Sequence, residues 1–401
     1  MVPAERQASS VHSVENSSHD SLDDYPQSYD RIHLSNIPDY TGGNMLTYLY
    51  AMPVLSPGRS SYVTSTCLRN PPRFRSYAHF DNEYIGMSSV ADIQKTFHVR
   101  LEKEQDNQQD VLPKSLLGSI GPDNLIGQGY QKWRKSRPSS KGLSSLVPRQ
   151  TLETWLYRLF LKIAIPVSRR IEDLTLIYSP LNLTVFIRLC AHLSNVGYPA
   201  HWLNTVLHNI CSGKIQTKAR PPRSNPLLIR EAKADMAVLE QSTSPFAAEM
   251  STLVSMGEVL LPFGILSHHV PAPKSIRRYE VSFSDVEKRV GNVATFVLVL
   301  FNIGLLPPAT RNLRPYLLSD ETSDSSTQAR LFRSEGSHVI STWSWTPSSK
   351  TASFWMREDV MSALRRDSWA ISIWRSDDWD YQTTPEPSEL IRDTGEIWMR
   401  E

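Results

Sequence analysis

The sequence predicts a mixed α/β protein, and three observations carry that class. A strand, a helix and a second strand follow one another within residues 29–68; from 150 to 262 the apolar period becomes helical; beyond 276 the chain breaks into short segments rich in Val, Ile, Thr, Phe and Trp. The expected division is a disordered tail over 1–27, an α/β segment over 28–140, a helical region over 150–270 and a tryptophan-rich β region over 275–385.

Taken in order, residues 1–27 are mostly Ser, Asp, Glu, Gln and His. Ordering them would cost about 1–2 kcal/mol of backbone entropy per residue with little burial in return. "RIHLSNI" then alternates Ile32, Leu34 and Ile37 with polar neighbours, and Pro38 ends the strand. Gly42 and Gly43 free a turn, after which Met45, Leu46, Leu49 and Met52 recur at helical spacing behind Asn44, a suitable N-cap; Pro53 and Pro57 close the helix. The β-branched "SSYVTSTCL" (60–68) supplies the second strand, so the unit has the length of one right-handed crossover. A helix is predicted over 88–105, capped by Ser88 or Ser89, whereas 106–149 is rich in Gly, Pro, Ser and Lys and predicts loops.

In the helical region, "TLETWLYRLFLKIAI" sets Leu152, Trp155, Leu156, Leu159 and Ile163 on one stripe. "SPLNLTVFIRLCAHLSNVG" offers Ser179 as N-cap, Pro180 at the first position and Gly197 past the end, and "PAHWLNTVLHNICSG" repeats the grammar with Pro199 and Gly213. A third helical segment is expected within 227–261, interrupted near Pro245. The last third reads as strands at "RRYEVSFSDV", "NVATFVLVLFN", "HVISTWSWTP", "TASFWMRED" and "SWAISIWRSDDW", with a mobile polar insertion over 319–336. Seven of the ten tryptophans lie between 343 and 398, which predicts an aromatic core there, with Trp343 and Trp345 on one sheet face.

Composition excludes several classes of function. With 40% hydrophobic and 21% charged residues over 401 positions, the chain matches a globular protein, and a net charge of +2 provides no global field for nucleic acid or an acidic membrane. Cys67, Cys190 and Cys211 are too few and too scattered for a disulfide framework, which favours a reducing compartment. The start lacks the apolar core of a signal peptide, and "VATFVLVLFNIGLLPP" (293–308) is shorter than the roughly 20 residues a membrane-spanning helix needs, so it reads as core. The expected location is cytoplasmic, with no membrane partner.

Few motifs carry chemistry. A polar loop past the end of a strand is where open α/β sheets bind ligands, and "SNIPDY" loosely resembles the Asn-Pro-Pro-Tyr loop of amino-group methyltransferases, with one residue more between its members and Asp39 where the second proline would stand. On that alternative, Asp30, Asn36, Asp39 and Tyr40 would line a pocket for S-adenosylmethionine. Such a site also needs an earlier strand and a glycine-rich turn, whereas only the polar tail precedes Tyr29, so a structural turn is favoured and no cofactor is expected. Cys190, His192, His208 and Cys211 have the residue types of a zinc site, but Cys190 and His192, two apart on a helix, diverge by about 200°. No metal is expected, and His268–His269 has no evident partner set. Nucleophile elbows, His-Glu-x-x-His helices and phosphate loops are absent, and "GSIGPDNLIGQG" (118–129) reads as a plain loop. Two basic runs remain, "QKWRKSRPSSK" (131–141) with Trp133 for stacking, and "KIQTKARPPR" (214–223). Either could meet phosphates, and the first also suits nuclear import, yet such runs are usually solvated; nucleic acid is therefore the second alternative.

At "YDRIHLSNIPDYTGG", "TASFWMREDV" and "WAISIWRSDDW" the chain resembles a group of fungal proteins carrying a domain of unknown function. That domain is similar to the N-terminal domain of the axonemal dynein assembly factor family, and many of these proteins carry a MYND-type zinc finger. The resemblance covers 29–69 and, more loosely, 339–381. It implies part of a methyltransferase-type α/β layer and supplies no catalytic residue; without a Cys-x-x-Cys pair, the finger is missing. The expectation is an intracellular protein-interaction or assembly module leaning away from catalysis, with a protein partner unspecified.

Overall fold

The computed structural model describes residues 26–399 apart from 59, 68–73, 75, 103–129, 137–141, 168–180, 225, 234–235, 258–260, 262, 265–266, 286–295, 319–325, 365–367 and 377–378. Helices and strands alternate along it, so the mixed α/β class holds. In the first sheet, β1 (Arg31–Ser35) runs parallel to β2 (Tyr62–Thr66), and β3 (Val99–Leu101) and β4 (Tyr130–Lys135) complete the order β1-β2-β4-β3. The register sets Ile32 beside Val63 and Leu34 beside Ser65, with Ile32 and Leu34 turned to the core. The crossover is helical but divided. Ile37–Tyr40 forms one turn, Gly42 and Gly43 bend the chain at φ 83° and 79°, and Asn44–Leu46 runs into a π-helical turn over Thr47–Ala51.

β4 contradicts the expectation of a basic loop. Gln131 and Trp133 turn inward while Lys132 and Arg134 lie at the sheet's outer face, so the period of two was present but masked by charge. Helix α1 (Tyr77–Ile85) has no counterpart among the predicted elements. The helix expected over 88–105 is α2 (Val90–Phe97): Ser89 caps it by accepting the Asp92 N–H, and His98, at φ 50°, turns the chain into β3. The glycine-rich run 118–129 lies outside the described residues.

The helical layer comprises α3 (Arg149–Ala164), α4 (Leu183–Asn195), α5 (Ala200–Cys211) and α6 (Ser244–Met256). Packed against both α4 and α5, α3 buries Tyr157, Phe160 and Leu161 as well as its predicted stripe, of which Ile163 alone is only half-buried. Ser179 and Pro180 lie outside the described residues; α4 is capped by Asn182, whose Oδ1 accepts the N–H groups of Thr184 and Val185. At its end Gly197 donates to Ser194 and Tyr198 to Leu193, closing a Schellman motif at the glycine's φ of 104°. Pro245 does not interrupt a helix. It sits in the first turn of α6, where a missing N–H costs nothing, and the chain before it forms β6 (Leu239–Ser242), antiparallel to β5 (Lys214–Thr217).

Eight further strands build two more sheets: β7 (Ile276–Ser282), β8 (Phe296–Asn302), β9 (Ser337–Ile340), β10 (Trp343–Thr346), β11 (Thr351–Arg357), β12 (Trp369–Arg375), β13 (Glu386–Pro387) and β14 (Arg392–Ile397), ordered β10-β11-β7-β14 and β13-β12-β8-β9. Along β8, Leu298 and Leu300 join the core between these two sheets, and Val297, Val299 and Phe301 join the core shared with the helices, which explains the unbroken apolar run. Glu249 of α6 accepts N–H and O–H groups from both Ser341 and Thr342, tying the helix to the β9–β10 turn. Trp369, Trp374 and Trp379 are buried, whereas Trp343, Trp345, Trp355 and Trp398 are half-buried. The expected mobile insertion is corrected in its second half. Thr327–Glu335 forms α7, capped by Ser326, because Phe332 and Ala329 share a face that the surrounding polar residues conceal. Among the described residues no helix is long and apolar enough to cross a membrane.

Candidate functional site

The four residues proposed for a cofactor do not converge. Asp30 precedes β1 and accepts from the Ser61 hydroxyl at 3.3 Å, whereas Asn36, Asp39 and Tyr40 follow the other end of the strand. Five strand residues separate the two ends by roughly 17 Å. Asn36 holds a left-handed backbone (φ 57°), and its N–H donates to Thr66 Oγ1 at 3.1 Å, so it shapes the exit turn. Tyr40 points outward, 51% exposed, while Asp39 is fully buried.

Behind Asp39 lies a closed polar cluster. Asn44 donates through Nδ2 to Asp81 of α1 at 3.2 Å and to Gln131 of β4 at 2.8 Å, and Trp133 Nε1 donates to the same Gln131 oxygen at 3.3 Å. Cys67 and Tyr77 stand beside it, and desolvation raises both thiol and phenol far above their usual ranges, with the charges of Asp39 and Asp81 adding to the rise. Asn44 Oδ1 and Tyr48 Oη are buried with no partner among the described residues. The cluster therefore joins the crossover, α1 and β4.

Gly43 decides what this loop can hold. A Cβ on it would meet Tyr84 Cβ at 2.5 Å and Cγ at 2.7 Å, so the ring of α1 occupies the approach that a glycine-rich turn would offer a nucleotide-like ligand. Two cavities occur elsewhere, one of 680 Å³ beside Phe97, Lys135 and His192, the other of 480 Å³ beside Ser88, Trp155 and Arg158. Neither is lined by Asp30, Asn36, Asp39 or Tyr40.

Burial pushes the Asp81 carboxyl up to about 7, against which the Asn44 hydrogen bond is the smaller effect. Its folded value lies above its unfolded one, so the stability it contributes is complete below about pH 4 and is lost as pH rises through about 7. Asp81→Asn removes that loss. In urea denaturation the variant should equal wild type near pH 4 and exceed it by up to about 4 kcal/mol at pH 8; the same difference at both pH values would contradict the assignment.

The basic run is occupied with its own fold. Lys132 pairs with Glu102 at 2.9 Å and covers the Tyr62 ring, Arg134 pairs with the same glutamate, and Lys135 donates to the carbonyls of Pro53 and Leu55. Trp133, expected to be available for stacking, is wholly buried; Arg137 and Lys141 lie outside the described residues. In the second run, Arg220 donates to the carbonyls of Thr217, Ala219 and Ala237. The rings of His268 and His269 lie 5.9 and 5.5 Å from that of His208. Among the described residues no group of three His, Cys, Asp or Glu side chains could hold a metal ion. Cys190 and Cys211 are buried, and burial raises each thiol to about 12, as expected of core cysteines.

No family model, curated protein or solved structure matches this chain.

Proposed function

We propose that the chain is a non-catalytic protein-interaction or assembly module of the fungal cytoplasm, built on a methyltransferase-like α/β layer with a tryptophan-rich β region, and that the outer edge of β1 receives an extended segment of a protein partner. The open edge carries this reading. Tyr62 donates to the Asp30 carbonyl, and alternation then turns the backbone groups of Ile32 and Leu34 toward β2 and those of Arg31, His33 and Ser35 outward. These outward groups have no backbone partner among the described residues, while at Tyr29 the same side already pairs with Val54 and Ser56. Tyr29, Ile37 and Tyr40 flank the edge at 44–51% exposure, apolar anchors suited to strand addition.

The test compares wild type with Arg31→Pro, which removes an outward N–H at the first position of the strand, where proline is tolerated. Proteins retained from a fungal extract by wild type and lost by a normally melting Arg31→Pro variant support the proposal. Equal retention by both, or dimerisation of the isolated chain through this edge, would count against a separate partner.

A further inference from the structure

We infer that the 480 Å³ cavity beside the starts of α2 and α3 binds a small aromatic oxyanion, an aryl phosphate or carboxylate, with Arg158 as its principal anchor. Thr151, Thr154, Trp155 and Arg158 fall three or four residues apart on α3 and so share the face that lines it. Arg158 is largely withdrawn from water, and burial alone lowers its pKa. Among the described residues its guanidinium has neither a hydrogen-bond acceptor nor a carboxylate. Three other arginines with restricted exposure are satisfied, Arg314 donating to Pro166 and Pro222, Arg333 to Tyr316, and Arg357 to Ser251, His269 and Asp359, and the partly buried Arg188 lies over the Tyr50 ring.

A cation withdrawn from water without an acceptor is costly, and a cavity at its side gives the acceptor a place. The remaining lining defines that acceptor. Lys218 adds a second positive charge, the Ser88 hydroxyl stands at the start of α2, and among the described lining residues the sole acid is Asp92, exposed at the rim. Met87, Val147 and the Trp155 ring form an apolar wall. The volume lies within the roughly 300–1,000 Å³ of small-molecule sites and far exceeds a bare phosphate, so the ligand carries a flat apolar body next to its charge.

Calorimetric titration of the full chain with phenyl phosphate, inorganic phosphate and phenol tests this inference. Phenyl phosphate should bind, inorganic phosphate at least about tenfold more weakly and phenol not at all, because charge and ring are both needed. Arg158→Met should weaken phenyl phosphate by at least about tenfold while leaving the melting midpoint unchanged or raised, since it removes an unpaired cation. Equal affinity of wild type and variant, no heat from phenyl phosphate at millimolar concentration, or a lowered midpoint would each overturn the inference, the last by revealing an acceptor within the chain.

Discussion

Gly43→Ala is expected to cost the fold about 3–5 kcal/mol, read from the midpoint of urea denaturation. Two costs combine. The backbone at φ 79° and ψ −166° belongs to a region only glycine enters freely, at about 1–3 kcal/mol for other residues. The new methyl group would also fall on Tyr84, whose Cβ is 2.5 Å from its ideal position and belongs to a buried helix that cannot move aside, adding about 1–3 kcal/mol of overpacking. Gly142→Ala is the control: its φ is 58°, but among the described residues nothing lies within 4 Å, so only about 1–2 kcal/mol should be lost. If the glycine served a ligand instead of Tyr84, Gly43→Ala would cost no more than the control and its effect would fall on binding.

Trp133→Ala should be nearly as damaging, at about 3–5 kcal/mol. The ring is fully buried, meets Tyr48 edge-on at 5.1 Å and donates to Gln131, so its removal empties the junction of β4 with the crossover and frees an acceptor inside the polar cluster. A role in stacking on nucleic acid predicts the reverse, unchanged stability with lost binding. Thermal melts together with titration of single-stranded DNA at two salt concentrations separate the two.

The legible parts of this fold are those whose signals are local. β8 was readable because its six-residue apolar run has the length of a strand, and the ends of α4 and α5 because Gly197 and Gly213 stop helices through their own backbone freedom. β4 was hidden because four of its residues are basic or amide and only pairing with β2 and β3 buries Trp133. α1 carries Asp81, Asn82 and Glu83 in succession, all buried, and each is satisfied from far along the chain: Asp81 by Asn44, Asn82 by the Leu227 carbonyl, Glu83 by Lys162 at 2.9 Å. Local pattern cannot announce such partners. For the same reason the sequence located the loop at Asn36–Gly43 but not what fills it, since Asp81, Tyr84 and Gln131 come from elsewhere. Asp30 was grouped with the loop by proximity in sequence, although a strand's length separates them.

Side chains of this chain, Tyr84 over Gly43 and the buried Asp39, occupy the space beyond the ends of β1 and β2. Calorimetric titration with S-adenosylmethionine tests that occupancy most directly. No binding at millimolar cofactor is the predicted result; micromolar binding by wild type that disappears in Asp39→Ala would contradict it.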